Sequence, residues 1–323
     1  MTISTGTGPV ISADQIIEAA RKLAAGSGKK MVAAASAADP AVLVALVSAS
    51  DDGILDATLF GDREKIIAAA DEGGCDISKF NIEHESDVNK AAYGAVKMAA
   101  DGAADVVMKG FVSTSALLKT VLSRDFDLRT RNTLSHTAVL DIPGYHKLIQ
   151  LTDGGMVVKP DTEQKLQIME NAVLVARALG IKPVKVAHSG AVDHEYESIP
   201  ASEACNEFLR RAAQLNLPDV LVHGPLTFDA ATSKDIAALK KIDHPVAGDA
   251  DIYLTGTIEE CNIIAKALIN FAETIFSGVI VGAKVPVSLV SRTDTIKNKK
   301  SSVSIACLVS EYYKTAGISG GGR

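Results

Sequence analysis

Hydrophobic and polar positions along the chain switch repeatedly between two periods. Short apolar runs rich in β-branched residues occupy 30–35, 54–60, 105–108, 184–188, 220–223, 251–254 and 278–281, the length and composition of buried strands. Between them lie stretches with helical spacing. Ser12-Ala-Asp-Gln15 reads as a capping box opening a helix that reaches Ala25, and Asp39-Pro40 opens another with Pro at its first position. Further helices are predicted over 63–72, 88–101, 116–122, 162–179, 201–215, 258–276 and within 301–313. Pro143-Gly144 is a turn dipeptide between two more strands, 137–142 and 147–152.

Alternation of this kind predicts βαβ units and an α/β fold with mostly parallel sheets. Ligands in such folds sit beyond the carboxyl ends of strands. The residues after each apolar run therefore carry most of the functional information.

Composition narrows the classes. The chain has 323 residues, enough for one large or two medium domains, and is 47% hydrophobic. A net charge of -6 argues against general nucleic-acid binding, yet leaves room for an anionic small ligand held by a local basic cluster. The four cysteines, Cys75, Cys205, Cys261 and Cys307, are too far apart for a CxxC pair or a zinc knuckle. No charged-then-apolar leader is present, and the longest apolar runs, such as 41–49, are too short to cross a bilayer. These features set the expectation of a cytoplasmic protein without membrane partners. GxGxxG after the first strand, GxxxxGK[ST], HExxH and GxSxG are all missing, which removes the commonest readings for NAD, ATP, zinc hydrolysis and α/β-hydrolase chemistry.

The most informative stretch runs from Val279 to Asp294. It begins as a strand, passes Gly282, Lys284 and Pro286, and ends in Ser291-Arg292-Thr293-Asp294. A hydroxyl, a guanidinium and a carboxylate delivered together suit chemistry on an anionic substrate. Thr293 or Asp294 equally suits the cap of a following helix. After 105–108 comes Lys109, then Thr114 and Ser115 at a helix start carrying Lys119; hydroxyls and N–H groups there form an anion site or a plain cap. Arg129 and Arg131 form either a phosphate clamp or a solvated face. Ser135-His136 sits beside an apolar strand, where a histidine is more often structural than catalytic. Asp249 and Asp251 face one side at a strand start, but nothing nearby completes a metal ligand set.

These segments, in this order, resemble the phosphate acyltransferase family of phosphate acetyltransferases and butyryltransferases, over about 105–308. The resemblance rests on Met108-Lys-Gly-Phe-Val-Ser-Thr-Ser-Ala-Leu-Leu-Lys119, and on Leu151-Thr-Asp-Gly-Gly-Met156 with Pro160-Asp-Thr-Glu-Gln164. It rests also on His223-Gly-Pro-Leu-Thr-Phe-Asp-Ala230, on Ala247-Gly-Asp-Ala-Asp-Ile252 with Asn262, and on Val285-Pro-Val-Ser-Leu-Val-Ser-Arg292. Leu134-Ser-His136 and the Ser-Arg-Thr-Asp ending are closer to the butyryltransferases. The resemblance implies reversible transfer of a short acyl group, butyryl or acetyl, between CoA and inorganic phosphate. CoA is then a substrate, with no bound cofactor and no metal.

It further implies two α/β/α lobes with an interlobe cleft, akin to isocitrate and isopropylmalate dehydrogenases, and a homodimer. One lobe would be 1–138 plus 293–323, the other 139–292. Ser291 would stabilise the transition state, Arg292 would bind phosphate or the developing charge, and Thr114 and Ser115 would hold phosphate, with Lys109, Arg129, Ser135, His136 and Lys284 as further substrate-binding candidates. Two departures stand out. Lys119 replaces the family's arginine and lacks its bidentate fork. The position near Asn298, where acetyltransferases carry an aspartate, holds no carboxylate, leaving Asp294 as the candidate base or a helix cap. Lys297, Lys299 and Lys300 read as a solvated basic turn or as contacts to CoA phosphates. Two alternatives remain from other classes: a metal-dependent NAD(P) dehydrogenase of the same fold, and a non-catalytic acyl-CoA binding protein.

Overall fold

A computed structural model describes residues 8–194, 200–289, 291 and 294–318. The first half runs α1 (Ala13–Ser27), β1 (Lys30–Ala35), α2 (Pro40–Asp51), β2 (Leu55–Gly61), α3 (Arg63–Gly73), β3 (Asn81–His84), α4 (Val88–Ala100), β4 (Val106–Lys109) and α5 (Thr114–Val121). A hairpin of β5 (Ser135–Asp141) and β6 (Ile149–Thr152) follows. Then come α6 (Thr162–Ala178), β7 (Val184–Ser189), α7 (Pro200–Leu215), β8 (Val220–Leu226), α8 (Phe228–Thr232), α9 (Lys234–Leu239) and β9 (Ile252–Leu254). The chain closes with α10 (Ile258–Phe271), β10 (Ile275–Val281), β11 (Val287–Ser288) and α11 (Ile296–Ala316).

All the described strands join one eleven-stranded sheet, ordered β3-β2-β1-β4-β11-β10-β5-β6-β9-β7-β8. Neighbours are parallel on both flanks. The antiparallel pairs β11·β10, β10·β5 and β5·β6 sit together at the centre. This is the mostly parallel α/β fold expected, though one sheet runs through both halves.

Strand period sorts the apolar residues onto two faces. Val32, Ala34, Val106 and Met108 pack with α1, α2 and α11 on one face. Ala33, Ala35, Val107 and Ile280 pack with α4 and α5 on the other. Two further clusters cover the second half, one under α8 and α10 and one under α6 and α7.

Local signals explain most helix starts. Ser12 accepts from the Gln15 N–H, Asp39 from Val42, and Asp161 with Gln164 completes a reciprocal capping box. Several expectations need correction. The helix expected over 258–276 ends at Phe271, and Phe276 instead pairs with Leu140 in the sheet, its N–H donating to the Asn298 side chain at 3.3 Å. The ladder thus overrides a helical apolar period. The last helix starts at Ile296, earlier than expected, capped by Thr295. Its buried face carries Ser301, Ser302 and Ser304, which break the apolar pattern. Ser301 Oγ lies 2.6 Å from Ser277 Oγ, and Ser302 Oγ accepts from the Gly278 N–H. Strands β3 and β11 and helices α8 and α9 had no clear sequence signal.

Candidate active site

A cavity of about 460 Å³ opens on one face of the sheet, above the central strands and between α5 of the first half and α10 of the second. Its polar side begins with Lys109, the last residue of β4, whose side chain is buried and donates to the Gly110 carbonyl at 3.3 Å. The chain then turns sharply. The Gly110 and Phe111 N–H groups donate to the carbonyls of Ala35 and Ser36, and a Cβ on Gly110 would lie 2.3 Å from the Ser36 oxygen. Only glycine permits that approach. The turn delivers Ser113 as the cap of α5, accepting from the Ala116 N–H, with Thr114 as the first helical residue; both line the cavity. A helix N-terminus with spare N–H groups favours an anion there.

The turn of Ser291 and Asp294 also lines the cavity. The Ser291 N–H donates to Asp294 Oδ2 at 2.6 Å, and the Asp294 N–H returns to the Ser291 carbonyl at 3.2 Å. Asp294 thus closes a turn, while Thr295 caps the helix. Lys299, almost wholly buried, donates to the carbonyls of Ser291 and Asp294. Burial pushes its pKa down, with the Asp294 charge opposing. Arg292 and Thr293 lie outside the described residues.

The remaining wall is apolar. Cys261, Ala265 and Ile269 lie four apart on α10, one stripe of a helix facing the cavity. Ala138 of β5 and Phe276 of β10 form the floor, with Leu289 beside them. Burial pushes the Cys261 thiol up to about 12, so it remains a protonated wall residue. His136, two residues before Ala138 and on the same strand face, also lines the cavity. Its ring centroid is 5.9 Å from that of Phe276, and both ring nitrogens are buried without a hydrogen-bond partner. Burial, and then the Lys266 charge, lowers its pKa to about 4, so the ring is neutral at physiological pH.

The structure therefore brings Lys109, Thr114, His136, Ser291 and Asp294 around one cavity. Ser115 and Lys119 share the exposed face of α5 outside it. Ser135 is fully buried and accepts from the Asn171 side chain at 2.9 Å. Arg129 donates to the Leu122 carbonyl, and Lys284 pairs with Asp127 at 2.6 Å. Lys297 and Lys300 pair with Asp14 and Asp52. Asp249 and Asp251 are held by Lys147, at 3.0 and 2.6 Å, and Asp249 also by Lys185. Among the described residues, no three His, Cys, Asp or Glu side chains converge as a metal site would require.

Sequence reasoning missed three contributors. Asp153, nearly fully buried, accepts from the N–H groups of His136, Gly155, Met156 and Val157 and so shapes the glycine loop beside the cavity. Asn262 donates to the Gly154 carbonyl at 3.2 Å. Lys266 lies one turn further along α10 at the cavity rim. The segments holding Asp153 and Asn262 were visible as motifs, but their partners are distant in sequence.

Comparison with known proteins points to one family. The family model described as "Phosphate acetyl/butaryl transferase" matches residues 83–307. The phosphate butyryltransferase of Clostridium acetobutylicum is 38% identical over 280 residues, covering 87% of this chain and 93% of that protein. The phosphate acetyltransferase of Thermotoga maritima is 32% identical over 295 residues, covering 91% and 98%. A crystal structure of a branched-chain phosphotransacylase from Enterococcus faecalis superposes with a TM-score of 0.78 at 31% identity, over 87% of this chain and 99% of that one. The chain belongs to the phosphate acetyl/butyryl transferase family.

Proposed function

We propose that this protein transfers a short acyl group reversibly between CoA and inorganic phosphate. One observation carries the reading: Lys109, the start of α5 and the Ser291–Asp294 turn line one cavity together with apolar residues of α10 and the sheet. In one direction a phosphate oxygen attacks the thioester carbonyl and CoA leaves as thiolate. In the other, the CoA thiol loses its proton and attacks the acyl phosphate, releasing phosphate. A free thiol pKa of ~8.5 leaves little thiolate at neutral pH, so a nearby base assists.

Asp294 serves as that base through Oδ1, since Oδ2 accepts from the Ser291 N–H. Ser291 donates to the carbonyl oxygen as it gains charge. Lys109, Thr114 and Arg292 hold phosphate, with His136 as an uncharged wall. Ser115 and Lys119 meet outlying substrate groups, whereas Arg129, Ser135 and Lys284 belong to the scaffold through the partners already described. The two substrates suffice, without another cofactor.

The same reading divides the chain into lobes 1–138 plus 293–323 and 139–292. It places the protein in the cytoplasm as a homodimer. Ile263 and Phe271, 69% and 85% exposed on α10, offer an apolar face for a second copy. Among the described residues, no helix is long and apolar enough to cross a membrane.

The test is product identity. Incubating the protein with butyryl-CoA and phosphate, then adding hydroxylamine, should yield butyryl hydroxamate in step with free thiol. Thiol without hydroxamate above a phosphate-free control, in which hydroxylamine cleaves only the remaining thioester, would mean hydrolysis and would reject the transfer.

A further inference from the structure

The cavity is divided by chemistry, and the division bears on the acyl group. Three apolar side chains on its α10 and sheet walls are buried. Ala138 is 2% exposed, Cys261 0% and Ala265 8%. Asn262 and Lys266, by contrast, are exposed at the rim. A bulky CoA body must leave through the open rim, and phosphate belongs with the cationic and N–H donors of Lys109 and the start of α5. What remains for the apolar walls is the part of the substrate attached to the carbonyl carbon.

The floor there is kept low by small residues. Gly278 lies directly across the antiparallel ladder from Ala138, so both point to the cavity face. A Cβ on Gly278 would sit 2.8 Å from the Phe276 ring and 2.9 Å from His136 Nε2. The glycine therefore lets both rings close around the pocket end. Above, Ala265 presents only a methyl group between Cys261 and Ile269.

We propose that Ala138, Cys261, Ala265, Ile269 and Phe276 form the acyl-chain pocket, and that Ala265 and Ile269 set the accepted chain length in favour of aliphatic groups longer than acetyl. Each methylene buried against such a wall favours binding by ~4-fold, and an acetyl group offers none beyond its methyl. Truncating the chain leaves the pocket unfilled, while enlarging Ala265 obstructs it. The inference rests on the acyltransfer reading and specifies its substrate class.

The experiment is kcat/KM for phosphate-dependent thiol release from acetyl-, butyryl-, isobutyryl- and hexanoyl-CoA, in the wild type, Ala265→Leu and Ile269→Ala. The wild type should prefer the four-carbon substrates to acetyl-CoA. Ala265→Leu should lower the butyryl-to-acetyl ratio by ~10-fold or more, since a single methylene in a hydrophobic pocket discriminates by ~10–200-fold. Ile269→Ala should raise the hexanoyl-to-butyryl ratio, and it carries the test if Ala265→Leu fails to fold. A wild type that releases no thiol from any of the four overturns the acyltransfer reading itself. An active wild type whose ratios are unmoved in the folded variants overturns the pocket assignment alone.

Discussion

The buried ammonium of Lys299 donates to the carbonyl oxygen of Ser291 at 2.7 Å, and to that of Asp294 at 2.9 Å. A residue eight positions along the chain thus fixes the turn presenting the proposed carbonyl donor, Ser291, and base, Asp294. Lys299→Met should leave two carbonyls without this donor, destabilising the fold by ~1–3 kcal/mol. Because the turn loses its anchor, kcat should fall more than KM for either substrate rises. Steady-state kinetics beside thermal melting test this; unchanged kcat in a folded variant would remove Lys299 from the account.

Lys109 is assigned to phosphate rather than to the acyl group. Lys109→Met should raise the KM for phosphate by ~10–100-fold, the equivalent of ~1.5–3 kcal/mol for hydrogen bonds to a charged partner. The KM for acyl-CoA should move much less. Equal effects on both substrates would place the lysine elsewhere.

Burial gives the fold an acid sensitivity of definite sign. His136 and His188 both have pKa values lowered from 6.5 to about 4, chiefly by desolvation, with the charges of Lys266 and Lys165 adding to it. The unfolded chain therefore binds more protons between pH 6.5 and about 4. The stability these neutral rings provide is complete above 6.5 and is lost as pH falls toward 4, by at most ~3 kcal/mol for each. His136→Phe should flatten part of that slope. It should not lower the melting temperature at pH 7, because it removes two polar atoms that lack partners. Melting curves from pH 7.5 to 4.5 for both proteins check this; identical slopes would contradict it.

Gly278→Ala is predicted to be costly although the change is one methyl group. The new Cβ would meet the Leu289 carbonyl oxygen at 2.6 Å as well as the two rings. Backbone cannot yield as a side-chain end does, so a loss of ~1–3 kcal/mol is expected by denaturant titration. A wild-type midpoint would show that the central strands relax freely.

Most strands and helices at the flanks of the sheet, β3, α8 and α9 apart, were legible because each has a local cause: β-branched runs, Asp or Ser caps, and Pro40 in a first turn. The antiparallel centre was less so. Phe276 continues the helical apolar period of α10, and only its ladder with Leu140 shows it to be a strand residue. The site followed the same rule. Lys109, Thr114, Ser291 and Asp294 could be picked because each follows an apolar run. Ser135, Arg129 and Lys284 sit in similar sequence contexts, but partners such as Asn171 and Asp127, far away in the chain, engage them. The apolar wall had no sequence signal, since Ala138 and Ala265 look like any small core residues until α10 is laid across β5.

The most direct test of the central claim is phosphate-dependent thiol release from butyryl-CoA, measured for the wild type and for Ser291→Ala at matched fold. Release that requires phosphate in the wild type and falls by ~100-fold or more in the variant, the loss typical of one transition-state donor, is the predicted result. Release that ignores phosphate, or that Ser291→Ala leaves intact, would contradict it.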